Sequence, residues 1–194
     1  MLPSLISFIQ SITNFSEESC DILRPAMKEM HFKKGDYLLK EGEVSHSIFF
    51  IKEGYCRTYY NQDGKDINTG FFFEYDFVTN LNSLTKGEKS VYNIQACEVV
   101  SAIKFDRIKL LEAYSKSQQI ETFSRKLLEK IMGDQEWHSD MFKLLTAEQR
   151  YEYLEKHHPQ MVQRVTLTQM ASYIGVSRET LSRIRNRRIK RIIM

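Results

Sequence analysis

Near the end of the chain, Arg178, Glu179, Ser182, Arg183 and Asn186 share a spacing that puts them on one face of a helix, the later four lying one, four, five and eight residues beyond the first. Such a face is polar, rich in donors and thin enough to enter a DNA major groove. Arginine pairs bidentately with guanine and glutamate accepts from cytosine, each good pair giving about 1–3 kcal/mol of discrimination. Glu179 is informative because it is the single acid among residues 161–194, which hold eight Lys and Arg. A carboxylate in so basic a segment repels phosphate, so it makes better sense as a reader of bases. Arg178, Glu179, Ser182 and Arg183 are therefore the candidate base readers. Thr166, Thr168, Ser177, Arg185, Arg187 and Arg188 are the candidate phosphate contacts, with Lys190 and Arg191 adding salt-dependent attraction.

To act together these residues need two short helices crossing closely, and "TLTQMASYIGVSRETLSRIRNRR", residues 166–188, meets that demand. Thr166 can cap the first helix, with Gln169 three residues on to close a capping box. Ala171 is small at the crossing, and Gly175 supplies a turn conformation that β-carbons resist. Ser177 caps the second helix, while Ile174, Val176, Leu181 and Ile184 form the inward face. The competing interpretation is a helical pair with a solvated charged face.

The charge of the chain is divided unevenly. Its 194 residues carry a net +3, but residues 1–160 hold 20 basic against 24 acidic side chains, leaving the basic excess at the end. That is the electrostatic footprint of a nucleic-acid contact. The length suits one good core or two small ones. No apolar run approaches the roughly 20 residues a spanning helix needs, and the N-terminus lacks the basic leader of a signal peptide, so a cytoplasmic location without membrane contact is expected. Cys20, Cys56 and Cys97 are far apart and odd in number, which suits plain thiols rather than disulfides or a metal set. His31, His46, His138, His157 and His158 lack a ligand spacing and are expected at the surface or in packing.

Upstream, Ser16 can cap a helix reaching about Met30, with Glu17 and Glu18 in its first turn. From His31 to Phe105 short β-rich runs alternate with turns, and Asp63-Gly64 marks a tight hairpin. Many short strands predict a barrel or sandwich. A short helix "DRIKLLEAY" follows. Ile120 to Leu145 then forms a long one, whose Ile120, Phe123, Leu127, Ile131 and Met141 recur at helical spacing; His138 and Leu145 extend the stripe. The stripe suits pairing with a second copy, packing on the chain's own barrel, or both; Gly133 permits a bend. "TAEQRYEYLEKHHPQ" reads as a further helix stopped by Pro159.

This order of parts, with "KKGDYLLKEGE", "FFIKEG", "DG" and above all "SRETLSR", resembles the Crp/Fnr family of bacterial transcription regulators over nearly the whole chain. The resemblance implies an α+β protein: N-terminal helices and a cyclic-nucleotide-binding-like jelly-roll barrel over 1–118, a long dimerisation helix over 119–145, and a helix-turn-helix domain over 146–194. Arg178, Glu179 and Arg183 look like the base readers of the cyclic-AMP receptor branch, and Ser182 like the serine of the FNR branch. Implied partners are double-stranded DNA, a second copy forming a homodimer on a two-fold operator, and RNA polymerase. The family continues into a β-hairpin wing, whereas this sequence ends at Met194, so a wing contact is expected to be missing or reduced.

Cyclic-AMP-binding members carry a Gly-Glu pair for the ribose and, ten residues after the Glu, an Arg for the phosphate. Here Thr79 and Asn80 stand at the Gly-Glu positions. Ungapped counting places Ser90 at the arginine position, and a slip of one residue places Lys89 there. Losing the carboxylate removes the acceptor for a sugar hydroxyl, and losing the guanidinium leaves a buried phosphate uncompensated. Cyclic AMP is therefore not expected to bind, and no cofactor or metal is expected; an iron-sulfur sensor would need more than Cys20. Phe73, Thr79, Asn80, Lys89 and Ser90 are the candidate lining of a pocket for some other effector, with Phe71, Phe72, Tyr75 and Phe77 nearby. The readings compared are a DNA-binding regulator, a cyclic-nucleotide-binding module acting through protein contacts, and a metal-dependent barrel enzyme. The enzyme lacks a His and carboxylate cluster, the module lacks its two anchors, and the first reading stands.

Overall fold

A computed structural model describes residues 3–193, with side chains described for all but residue 3 and residues 189–193. Two helices open the chain, α1 (Pro3–Ile12) and α2 (Glu17–Leu23). The hydroxyl of Ser16 accepts from the Ser19 N–H and caps α2. The helix expected to reach Met30 stops at Leu23: Pro25 cannot donate within an α-helix, so residues 24–26 form a 3-10 turn and a strand begins at Met27.

Eight strands follow: β1 (Met27–Phe32), β2 (Tyr37–Leu39), β3 (Ser47–Glu53), β4 (Cys56–Gln62), β5 (Lys65–Phe72), β6 (Phe77–Val78), β7 (Asn93–Ala96) and β8 (Val100–Asp106). They form two four-stranded sheets, ordered β1-β8-β3-β6 and β2-β7-β4-β5, which is the expected jelly roll. The β4–β5 turn has φ of 52° at Asp63 and 78° at Gly64, as a primed hairpin turn requires. The segment from Glu74 to Ala96 is more ordered than its polarity suggests, containing β6, α3 (Leu81–Lys86) and β7.

Helices α4 (Arg107–Lys116) and α5 (Gln118–Leu144) come next, α4 capped by the Asp106 carboxylate. The chain divides into two compact units, one of residues 1–58 and 71–132, the other of residues 133–194 with the hairpin residues 59–70. α5 runs unbroken through Gly133, where the division falls.

In the first unit, Leu5, Ile9, Phe50, Phe77, Phe105, Ile120 and Phe123 form one core cluster, with Leu127 packed against it. The ring centroids of Phe77 and Phe123 lie 6.1 Å apart. Each such buried side chain contributes about 1.5–3 kcal/mol. Ile120 and Phe123 are thus taken up by the chain's own core, one of the packings the stripe suits. Met141 is likewise buried, and Ile131 is partly so. The exposed apolar residues of α5 are instead Leu128, Met132, Trp137 and Leu144.

The second unit holds the end of α5 with α6 (Ala147–His157), α7 (Pro159–Arg164), α8 (Leu167–Ile174) and α9 (Arg178–Ile193). Thr146 and Gln149 close a capping box at α6, and Pro159 opens α7 at a position that needs no N–H. His138 packs between the rings of Phe142 and Tyr173, and its buried Nε2 has no hydrogen-bond partner among the described residues. Burial holds its pKa below the usual histidine value. Among the described residues, no group of three or more His, Cys, Asp or Glu could hold a metal ion, and no helix is long and apolar enough to cross a membrane.

Candidate nucleic-acid interface

α8 and α9 form the expected helix, turn and helix. Thr166 accepts from the Gln169 N–H and caps α8, but it donates its own hydroxyl to the Gln169 side-chain oxygen, so the box closes on the hydroxyl instead of on the Thr166 N–H. α8 ends at Gly175 with φ 76°. There the Val176 N–H donates to Ala171 O at 2.9 Å and the Gly175 N–H to Ser172 O at 3.3 Å, closing the last turn with a left-handed glycine. Ser177 accepts from the Thr180 N–H at 3.2 Å and begins α9. Met170, Ala171, Ile174, Leu181 and Ile184 are all buried, which fixes the opposite side of α9 outward.

On that outward side Arg178, Glu179, Arg183 and Asn186 are exposed and Ser182 is half-buried. Among the described residues none forms an ion pair with Arg178, Glu179 or Arg183. Two guanidinium groups and one carboxylate therefore stand together with their donors and acceptor available. Thr166, Thr168 and Ser177 are exposed at the N-terminal ends of α8 and α9, where main-chain N–H groups favour anions.

The candidate phosphate arginines behave differently. Arg188 turns back onto α6, reaching Glu155 at 2.7 Å and Glu152 at 3.3 Å. These carboxylates hold its pKa above the ordinary arginine value, the hydrogen bond to Glu155 being the main cause. Arg187 lies 4.0 Å from Glu148, and Arg185 is near the Tyr151 hydroxyl. Glu148, Glu152 and Glu155 recur at four and three residues on one face of α6, a spacing visible in the sequence whose partner strip on α9 was not. The side chains of Lys190 and Arg191 lie outside the described residues.

In the barrel, Asn80 and Ser90, the latter the anchor position by ungapped counting, meet each other. Asn80 caps α3 by accepting from the Ser83 N–H, and its Nδ2 donates to Ser90 Oγ at 2.8 Å. Ser90 Oγ donates in turn to Tyr92 O. Thr79 Oγ1 donates to Ser47 O at 2.9 Å, and Tyr92 donates to Thr79 O. Ser83 accepts from the Ser45 N–H and donates to Glu88 O. Asn80, Ser83 and Ser90 are each at most 4% exposed, so the loop is a buried, internally satisfied polar network. Of the five candidate pocket residues, Lys89 is exposed and outside this network, and Phe73 stacks on Tyr55 at 5.0 Å within the core. Thr79, Asn80 and Ser90 are brought together; the other two are not.

Two residues that sequence reasoning passed over organise the second unit. Ser172 Oγ donates to Asp66 O at 2.9 Å and accepts from the Asn68 N–H at 3.0 Å, clasping the β4–β5 hairpin to α8. Arg150 on α6 donates to main-chain oxygens of Phe142, Leu145 and Ile174. Neither residue is marked by its type or spacing, although Ser172 lies within the 166–188 stretch, because each acts on backbone atoms distant in sequence or at helix ends.

Residues 29–117 match the family model of the cyclic nucleotide-binding domain. Similar solved structures extend over nearly the full chain. A CooA mutant from Carboxydothermus hydrogenoformans is 16% identical with a TM-score of 0.71, covering 98% of this chain and 86% of its own. FixK2 from Bradyrhizobium japonicum is 20% identical with a TM-score of 0.67, covering 85% of each. A protein named as a transcriptional regulator of the crp/fnr family, from Eubacterium rectale, is 16% identical with a TM-score of 0.64, covering 91% of this chain and 85% of its own. Residues 29–117 thus resemble a cyclic nucleotide-binding domain, and the chain has the fold of these solved structures, a Crp/Fnr-family regulator among them.

Proposed function

We propose that this protein is a sequence-specific DNA-binding transcription regulator of the Crp/Fnr type, acting in the cytoplasm as a homodimer on a two-fold symmetric operator. The observation that carries the reading is the exposed trio Arg178, Glu179 and Arg183 on the outward face of α9, held there by buried Leu181 and Ile184 and left without ion pairs among the described residues. Two such faces related by symmetry suit successive major grooves. Leu128 and Met132, exposed on α5, are the apolar residues offered to a second copy, and RNA polymerase is the further partner of a regulator of this type.

The barrel does not read cyclic AMP in this proposal. The bond from Asn80 to Ser90 supports that reading, because these two, the anchor positions by ungapped counting, are buried and bonded to each other. A cyclic-nucleotide module acting through protein contacts alone is disfavoured by the same bond and leaves the α9 face without a role.

Selection of bound sequences from random DNA, followed by titration of the selected site at two salt concentrations, tests the reading. A two-fold symmetric site whose affinity falls steeply with salt is expected. No salt-sensitive binding to any selected sequence would overturn it.

A further inference from the structure

We propose that Arg150 is the positioning residue that locks the outgoing end of the long helix to the turn between α8 and α9, and so sets where the candidate base-reading face points. Its Nη1 donates to Ile174 O at 2.8 Å, its Nη2 to Phe142 O at 3.2 Å and its Nε to Leu145 O at 3.1 Å. Phe142 and Leu145 belong to the exit from α5, and Ile174 is the last residue of α8. The guanidinium carbon also lies 4.5 Å from the centroid of the Phe142 ring.

Three features make this a clamp between elements. Carbonyls at helix C-termini lack intrahelical donors and carry the negative end of the dipole, so a cation there is doubly favoured. Only arginine offers a rigid planar fork that can reach three acceptors at once; a lysine ammonium on its flexible stem cannot hold the same geometry. Among the described residues no carboxylate pairs with Arg150, so its charge is directed to the two helix ends. Gly175 completes the arrangement: a β-carbon there would sit 3.4 Å from the Phe142 ring and 3.5 Å from Arg150 Nη1. Turning α8 relative to α5 breaks the bond to Ile174 O, and α9 follows α8 through only three intervening residues. Since the two copies of α5 would set the separation of the two reading faces, Arg150 governs half-site spacing, a role that rests on the DNA-binding reading above.

The test compares the full chain with its Arg150→Lys and Arg150→Met variants. Hydrogen exchange followed by mass spectrometry is expected to quicken at residues 174–177 in both variants while β3 is unchanged. Binding is then measured to a single half-site and to selected operators whose half-sites are moved by one base pair. Both variants are expected to keep half-site affinity, and Arg150→Lys to lose roughly tenfold of the spacing discrimination, which corresponds to about 1.4 kcal/mol. Unchanged exchange at residues 174–177, unchanged spacing discrimination, or exchange rising equally in β3 would each overturn the proposal. If the unaltered chain binds no DNA, the regulator reading fails, and the exchange measurement still decides whether Arg150 clamps the turn.

Discussion

The side-chain amide of Asn80 donates to the hydroxyl of Ser90 across 2.8 Å, closing the barrel loop on itself. Asn80 also caps α3, so Asn80→Ala removes a cap and leaves a buried hydroxyl short of a donor. Together these are expected to destabilise the protein by about 1–3 kcal/mol, read as a lower midpoint in denaturant unfolding. In the same assay millimolar cyclic AMP is expected to leave the unaltered chain where it is. A clear upward shift of the midpoint would show that the loop opens for the nucleotide.

Glu179→Ala separates reading from folding. Loss of preference at one base pair, equivalent to about 1–3 kcal/mol, is expected, with affinity for random DNA kept or raised because a negative charge has gone. Affinities for sites varied one base pair at a time provide the check. A uniform loss at all sequences would place Glu179 in the fold instead.

Arg188 offers the opposite contrast. Its pairing with Glu155 and Glu152 predicts that Arg188→Ala lowers thermal stability while changing the slope of log affinity against log salt by well under one unit. A residue neutralising a phosphate would change that slope by roughly one. Salt titrations of this variant beside Arg178→Ala decide the matter.

His138 predicts a pH dependence. Burial lowers its pKa in the folded state, so the unfolded chain takes up its proton more readily and stability falls as pH drops below the ordinary histidine value of about 6.5. This contribution is intact above that pH and is lost as pH falls through the folded value. His138→Phe should flatten the decline between pH 7.5 and 5, measured as the difference in melting temperature.

The proposed dimer has a direct test in Leu128→Glu combined with Met132→Glu. Both side chains are exposed within one chain, so the folded monomer should persist while mass in solution falls to that of a single copy. An unchanged mass would place the partner surface elsewhere.

What could be read from sequence is what is local. The Asp63-Gly64 turn, the Ser177 cap, and the inward Leu181 and Ile184 follow from adjacent residues and helical period, and the structure places them as expected. The period of α5 is equally plain, but period says which residues share a face and not what covers it, so it leaves a second copy and the chain's own barrel both open for Ile120 and Phe123, which the core takes up. The helical pattern extends to Met30, but Pro25 ends the helix before it. In the barrel loop, types and spacing showed which anchors were missing. That the substitutes bond to each other depends on α3 folding the nine intervening residues back, which no local pattern displays.

The clasp at Ser172 has a consequence for how freely the β4–β5 hairpin can change. On the hairpin side it uses only the carbonyl of Asp66 and the N–H of Asn68, atoms that nearly every amino acid supplies. The hairpin is thus recognised by its path and not by its spelling: the side chain of Asp66 can be replaced and the attachment stays, whereas losing one oxygen atom from Ser172 removes both bonds together.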